Sequence, residues 1–255
     1  AERAVEQMRP YSETLSKIIQ NVSANAGEVE GIYSRKSEKK KVLIVAIASN
    51  RGLCGAFNAN VIKKVQQVIF DEYRNSSVSV FPIGKKAKDG MKGKHTSNLE
   101  SFPLAAHEVY DDLNFEAVSD VYNAIIEAYT NGQFDQVVLV YNSFKNAAVQ
   151  ILKNEQFLPI ENTSEADDAS IDYIFEPEEG EILEDLIPKS LKVQLYKAIL
   201  DSFAAEHGAR MTAMHKATDN AEDLLKDLRL TYNKLRQASI TNEILEIVSG
   251  AEALA

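Results

Sequence analysis

The chain has 255 residues, with 28 Lys and Arg against 38 Asp and Glu, so its formal net charge is −10 at pH 7. This balance argues against nucleic-acid binding, which needs an excess of basic side chains to displace the counterions of phosphates. Cys54 is the single cysteine, so no intrachain disulfide is possible, and no apolar run approaches the ~20 residues of a membrane-spanning helix.

Residues 2–26 have the spacing of a coiled-coil helix. An apolar stripe advances in alternating steps of three and four residues and comprises Val5, Met8, Leu15, Ile19 and Val22. Ser12 occupies the remaining position of this stripe. Pro10 falls inside this stripe, where proline costs about 3 kcal/mol or kinks the helix, so we expect the first turns to bend away. The stripe begins without a capping residue, and we therefore expect the native helix to start further upstream.

After residue 41 the pattern changes to that of a layered α/β domain. Short apolar runs predict strands at residues 42–48, 78–83, 136–141, 149–158 and 171–175. The first is apolar throughout, which is typical of a strand buried in a parallel sheet, and the third is also interpreted as a buried strand. The alternation in 149–158 predicts an antiparallel edge strand. Amphipathic helices are predicted at residues 58–74 and 113–131.

Strands that alternate with helices favour a mostly parallel sheet with right-handed crossovers. We therefore assign residues 27–177 to a Rossmann-like α/β domain. The basic stretch 85–94 is interpreted as a solvated loop, and the acidic stretch 161–172 as a mobile surface loop.

The C-terminal part, residues 189–255, contains no proline and only two glycines, Gly208 and Gly250. Apolar or small residues again recur at steps of three and four, which predicts a helix of roughly 100 Å that extends beyond its own domain. Pro188 is expected near the first turn of this helix, after a separate short helix. The alternative is a helix that doubles back at Gly208.

Two apolar stripes at opposite ends of the chain predict an antiparallel two-helix coiled coil. We assign residues 1–26 to its N-terminal helix, truncated at its start, and residues 178–255 to the long C-terminal helix. The predicted fold is therefore this coiled coil combined with a central α/β domain.

The turn at residues 49–55 is the one candidate ligand site. Gly52 and Gly55 follow a buried strand and precede a helix, as in phosphate-binding loops. The turn matches neither the GxGxxG nor the P-loop pattern, so a tight turn is the favoured interpretation. Cys54 has no nearby histidine in the sequence to activate it, and no histidine pair has metal-site spacing. We predict no catalytic residue, no metal and no cofactor.

Three stretches resemble the gamma-subunit family of F-type ATP synthases: residues 236–254, residues 217–221 and residues 49–55. In the last, Asn50 stands where the family more often has Asp. The resemblance covers essentially the whole chain. It implies a non-catalytic rotor shaft that couples proton flow to ATP synthesis or hydrolysis.

The resemblance also implies partners and a location. The shaft stands inside a ring of three alpha and three beta subunits, and its α/β domain joins the epsilon subunit and the c ring of Fo. Its location is peripheral to the membrane. The added cysteine pair of the chloroplast proteins is missing, which favours a bacterial source, with a mitochondrial source as the alternative. In a bacterium, the expected location is the cytoplasmic face of the inner membrane.

Contact residues follow from the same resemblance. Arg236, Gln237 and Thr241 match positions that meet the beta-subunit loop gripping the shaft. The tip, which sits in an apolar sleeve of the ring, comprises Ile240, Ile244, Ile247, Ala251 and Leu254. Phe175 and Glu176 align with the foot that rests on the c ring.

Two other classes of protein stay open from the residues alone. A nucleotide-binding α/β enzyme with a dimerisation coil would explain the glycine turn, and micromolar binding of ATP or NAD would support it. A coiled-coil scaffold would explain the stripes, and it predicts that replacing Arg236 and Gln237 leaves coupled ATPase activity unchanged.

Overall fold

The structure is a computed structural model. It describes residues 6–8, 10–12, 14–15, 33, 40–93, 95, 99, 102–103, 106–160 and 179–253, with the side chains of the last range described from residue 186. The chain divides into two compact units, Ala1–Met211 and Thr212–Ala255. The strand predicted at 171–175 and the acidic loop at 161–172 lie outside the described residues.

The first unit contains a four-stranded sheet. Its strands are β1 (Lys41–Ile47), β2 (Ser77–Ile83), β3 (Gln136–Phe144) and β4 (Gln150–Leu158), in the spatial order β2-β1-β3-β4. β1 pairs in parallel with β2 and β3, and β4 pairs antiparallel with β3 at the edge. The predicted strands in this range and the antiparallel edge strand are confirmed. Pro82 is tolerated because β2 is the opposite edge strand and need not donate on its outer side.

The continuous apolar run of β1 is explained by burial on both faces. Leu43, Val45 and Ile47 point into one apolar cluster, whereas Val42, Ile44 and Ala46 point into another. The first cluster includes residues of helix α3 (Ala117–Thr130) and of a short 3-10 helix (Ala106–Tyr110). The second includes residues of α1 (Phe57–Asp71) and α2 (Lys85–Met91). The sheet therefore lies between two helical layers.

The interpretation of residues 85–94 as a solvated loop is wrong, because Lys85–Met91 forms helix α2. Ala87 and Met91, four residues apart, are buried against the sheet layer, while Lys85 and Lys88 are exposed. The apolar stripe consists of only these two residues, so the lysines dominated the local composition.

The long C-terminal helix is confirmed: α4 runs from Glu179 to Glu252 without interruption, 74 residues in all. It passes through Gly208, so the chain does not double back there. The predicted boundary after Pro188 is wrong, because Pro188 lies inside α4. Ile187, Leu191 and Leu195 pack in the cluster that includes Leu43 of β1, and burying such side chains at ~1.5–3 kcal/mol each outweighs the local cost of proline.

The described N-terminal residues, 6–8, 10–12 and 14–15, are helical. Leu15 is buried against Val193 of α4, with Met8, Leu186 and Ile187 around them. Met8 also packs against the cluster that contains Leu200 and Ala204. Within the first unit, the described part of this segment therefore packs on α4. The other residues of its predicted stripe lie outside the described part of the chain.

Candidate functional site

Ligands of open α/β sheets bind outside the carboxyl ends of the strands, where the strand order reverses. In this sheet that position lies between β1 and β3. Cys54 and Phe57, which follow β1, and Phe144, at the end of β3, pack there in one cluster with apolar residues of α4: Leu200, Ala204 and Ala205. The crevice is thus filled by the protein's own helix, which removes the main support for a nucleotide site.

Gly208 of α4 permits a close approach of the main chain. A Cβ at this position would lie 2.9 Å from the carbonyl oxygen of Ala147 and 3.0 Å from its Cα. The connection between β3 and β4 therefore lies directly against the helix backbone. The structural role of Gly208 is contact, not the helix break that the sequence offered as an alternative.

The turn at residues 49–55 is held by side-chain amides. Asn58 Oδ1 accepts a hydrogen bond from the backbone N–H of Ser49 at 3.0 Å. Asn50 Nδ2 donates to the carbonyl of His107 at 2.8 Å, and Asn50 Oδ1 accepts from the N–H of Lys85 at 3.0 Å. An aspartate at position 50 would lack the donor for His107. Asn50 thus ties the turn to the 3-10 helix and to the start of α2.

The same turn contains two residues with left-handed backbone conformation. Gly55 has φ +60°, as expected for a turn glycine, and Leu53 has φ 63° with its side chain 76% exposed. Cys54 between them is buried, and Asn58 Nδ2 donates to its sulfur at 3.2 Å. Within the described part of the chain, no group of three or more His, Cys, Asp or Glu could hold a metal ion.

Buried polar residues of α4 form contacts that sequence reasoning missed. Ser143 Oγ donates to Asp201 Oδ2 at 2.9 Å, in buried surroundings. Arg210 Nη2 donates to Glu206 Oε1 at 2.7 Å, and the Glu206 side chain is only 8% exposed. Tyr110 stacks on Phe203 with ring centroids 5.9 Å apart. Helix α4 is therefore held by polar and aromatic contacts as well as by its apolar face.

Two tyrosines with buried hydroxyl groups, Tyr110 and Tyr122, should make folding sensitive to alkaline pH. Burial raises the pKa of Tyr110 and of Tyr122, and the negative charge of Glu206 raises the pKa of Tyr110 further. Above about pH 10 the unfolded chain releases phenolic protons that the folded chain retains, so stability is full below pH 10 and is lost as pH rises. We expect a loss of up to about 1.4 kcal/mol per pH unit for each tyrosine.

Urea unfolding between pH 8 and pH 11 measures this dependence. The variant Tyr110→Phe should show a shallower loss than the unmodified chain. Tyr232→Phe is the matched control, because the Tyr232 side chain is 66% exposed. Equal slopes for Tyr110→Phe and the unmodified chain would contradict the explanation.

The second unit is helical, and its described side chains from residue 214 onward are all exposed. The contact residues expected from the resemblance lie there in part: Arg236, Gln237, Ile240, Thr241, Ile244, Ile247 and Ala251 are exposed on α4. Thr241 Oγ1 donates to the carbonyl of Gln237 at 2.8 Å. Leu254, Phe175 and Glu176 lie outside the described residues.

The apolar surface of this helical segment has two parts. At 100° per residue, Leu225, Leu228, Tyr232 and Leu235 fall within an arc of about 80°. Ile240, Ile244 and Ile247 fall on an arc centred about 110° further round. Leu245 is 60% exposed and Val248 49% exposed, and sequence reasoning omitted both although they widen the second arc. So large an apolar surface on one helix indicates neighbours that cover it.

These features define a class of protein: a subunit that binds neighbours along a helix, with its α/β crevice filled by that helix. A family model described as ATP synthase matches residues 1–254. The chain is 52% identical over 255 residues to the ATP synthase gamma chain of Christiangramia forsetii, covering all of this chain and 87% of that protein. It is 54% identical over 256 residues to that of Flavobacterium johnsoniae, with the same coverage. The chain therefore belongs to the ATP synthase gamma-chain family.

Solved structures agree in fold. In the Euglena gracilis mitochondrial ATP synthase, described as OSCP/F1/c-ring, one chain matches with a TM-score of 0.59 and 21% identity, over 99% of this chain and 93% of that one. A chain of the Tetrahymena thermophila central stalk and c-ring matches with a TM-score of 0.51 and 22% identity, over 84% and 99%.

The prediction of a gamma-type, non-catalytic subunit is confirmed by the family and its named relatives. Among the described residues, no helix combines the length and the apolar character that crossing a membrane requires.

Proposed function

We propose that this chain is the central rotor shaft of a proton-translocating F-type ATP synthase. It transmits torque between the membrane c ring and the catalytic alpha/beta ring and so couples proton flow to ATP synthesis or hydrolysis. The observation that carries the proposal is the uninterrupted α4, whose residues beyond 212 expose a long apolar surface in a chain of the gamma family. A shaft needs stiffness and binding surface, and it needs no catalytic group of its own.

Stiffness comes from pairing α4 with the N-terminal helix in an antiparallel coiled coil. Leu15 packs near Val193, whereas Met8 packs near both this cluster and the one with Leu200. Earlier residues of the N-terminal segment thus contact later residues of α4, which supports an antiparallel arrangement of the two helices. We assign the coil to residues 1–26 and 178–255, and the α/β domain to residues 27–177.

The partners that fit this role are three alpha and three beta subunits around the shaft, and the epsilon subunit and c ring at the α/β domain. The two apolar arcs support two kinds of neighbour. The narrow arc of Leu225 to Leu235 suits one paired helix, and the wider surface around Ile240 to Val248 suits a surrounding sleeve. The two gamma chains named above, 52% and 54% identical to this one, come from bacteria, which supports a peripheral location on the cytoplasmic face of the inner membrane.

We assign contacts to the beta-subunit loop to Arg236, Gln237 and Thr241. All three are exposed, so each can reach a neighbour. Tip contacts are assigned to Ile240, Ile244, Ile247, Ala251 and Leu254, and contacts at the foot to Phe175 and Glu176, on the strength of the family resemblance.

Arg236→Ala in the assembled synthase should lower ATP-driven proton pumping per ATP hydrolysed by about tenfold, because a charged hydrogen bond is worth ~1.5–3 kcal/mol. Gln237→Ala should have a smaller effect, since its bonds are neutral. ATP hydrolysis and proton pumping are measured on the same vesicles. Lys234→Ala is the control, because Lys234 lies on nearly the opposite side of the helix from Arg236.

An unchanged number of protons pumped per ATP hydrolysed in Arg236→Ala would favour the scaffold hypothesis. Failure of the chain to form a stable complex with alpha and beta subunits would overturn the shaft proposal itself. Micromolar binding of ATP or NAD to the chain alone would revive the nucleotide-enzyme alternative.

A further inference from the structure

Arg210 connects α4 to the turn that follows β1. Its Nη2 lies 2.7 Å from Glu206 Oε1, 3.2 Å from the carbonyl oxygen of Gly52 and 3.5 Å from that of Arg51. The arginine side chain is 24% exposed. Its bonds to Glu206 and Gly52 are partly buried, whereas the longer one to Arg51 is exposed. One guanidinium thus joins a buried carboxylate of the helix to the backbone of a turn 158 positions away in sequence.

A second connection lies on another side of the same helix. Ser143 Oγ donates to Asp201 Oδ2 at 2.9 Å, and Gly208 lies against the backbone of Ala147. At 100° per residue, Asp201 and Gly208 point to one side of α4, and Glu206 and Arg210 point roughly 160° away from them. The helix is therefore gripped from two nearly opposite sides by residues at the carboxyl ends of β1 and β3.

The residues of α4 that meet the crevice at this level include Ala204 and Ala205, and Gly208 brings the helix backbone against Ala147. Small residues let the helix lie close to the sheet, and the hydrophobic effect that drives this contact is itself non-directional. Hydrogen bonds depend on direction, and two sets on opposite sides form a couple that resists rotation about that axis.

We propose that Arg210 is the positioning residue that fixes the rotational setting of α4 within the α/β unit. Torque then passes between the sheet and the helix without slippage. This inference rests on the proposed shaft function and adds the place where the α/β unit drives the helix. It concerns residues that the expected partner contacts do not include.

The local part of the proposal is tested through Cys54, which is buried beneath the turn and is the only cysteine of the chain. In the assembled synthase, Arg210→Gln should raise the alkylation rate of Cys54 about tenfold, because the turn loses its charged hydrogen bonds. The modification is read by peptide mass, so cysteines of other subunits do not interfere. An unchanged rate would overturn the proposal.

The functional part is tested on the same preparations by measuring ATP hydrolysis and proton pumping in vesicles. Arg210→Gln should retain hydrolysis and lose at least half of the protons pumped per ATP. Arg210→Lys keeps the positive charge beside Glu206 but lacks the planar guanidinium whose Nη2 bonds the turn, so its ratio of protons pumped per ATP should be intermediate. Lys197→Gln, on the same helix, is the control and should match the unmodified synthase.

Each opposing outcome has a distinct meaning. An unchanged pumping ratio in both Arg210 variants, or losses of hydrolysis and pumping that only follow the amount of assembled complex, would overturn the inference and leave the shaft function standing. An unmodified chain that supports no pumping would overturn the proposed function, and the inference with it. Because Arg210→Lys preserves the ion pair, the test survives a folding failure of Arg210→Gln.

Discussion

Gly84→Ala is expected to destabilise the α/β unit by about 3 kcal/mol or more. Gly84 follows β2 with φ +100°, and a Cβ there would overlap the carbonyl oxygen of Ala48 and lie 2.8 Å from its carbonyl carbon. These are main-chain atoms at the end of β1, so relief of the overlap must move the central strand. Lys86 N–H also donates to the carbonyl of Ser49 at 3.0 Å, which fixes the two chains in this register. Urea unfolding followed by tyrosine fluorescence measures the loss.

Alanine substitutions at two other glycines serve as controls that separate the cost of atomic overlap from the cost of left-handed backbone strain. Gly55 has φ +60° and Gly93 has φ +73°, but a Cβ at either position would meet no atom within 4 Å. Alanine at these positions should cost only the left-handed conformation, ~1–2 kcal/mol. If Gly84→Ala lowers the free energy of unfolding no more than Gly55→Ala does, the end of β1 can move at little cost. The explanation from overlap is then wrong.

The sheet was predictable because each strand pattern has one dominant cause. β1 is buried on both faces from Val42 onward and is apolar over that length. β4 is an edge strand whose residues before Phe157 are all at least partly exposed. The long helix was predictable because a stripe with steps of three and four continues through Gly208. These signals are local in sequence, and a single chain displays them.

Errors arose where packing outweighs local preference. Pro188 marks a helix boundary by propensity, yet the neighbouring apolar residues Ile187 and Leu191 pack in the sheet core and the helix continues. Helix α2 was missed because its lysines outnumber Ala87 and Met91. Whether two buried positions suffice for a helix depends on the surface they meet, which the sequence does not display.

The contacts around α4 could not be predicted from the sequence. Ser143 and Asp201 are 58 positions apart, and Gly52 and Arg210 are 158 apart. No spacing rule connects residues at such separations, and Glu206 and Arg210 look like an ordinary i, i+4 pair on a solvated helix face. Only the fold shows that the pair is partly buried and that it also holds a turn. The contacts of Arg236 and Gln237 with a beta subunit stay predictions, since they rest on the family resemblance.

Gly208→Val should destabilise the first unit by about 3 kcal/mol, although valine is a slightly better helix former than glycine. The reason is the backbone of Ala147, which lies 2.9 Å and 3.0 Å from the position of the added Cβ. The branched side chain must displace either the connection between β3 and β4 or α4 itself. Urea unfolding followed by tyrosine fluorescence gives the size of the effect.

Gly250→Val is the matched control, because Gly250 lies in the same helix and a Cβ there would meet no atom within 4 Å. It should be neutral or stabilising by a few tenths of a kcal/mol, as helix propensity alone requires. Opposite effects of one substitution at two glycines of one helix would show that Gly208 is needed for contact with the sheet. Equal effects would mean that α4 can move away from Ala147 at little cost. The second connection to α4 would then rest on the hydrogen bond between Ser143 and Asp201 and not on the contact of Gly208.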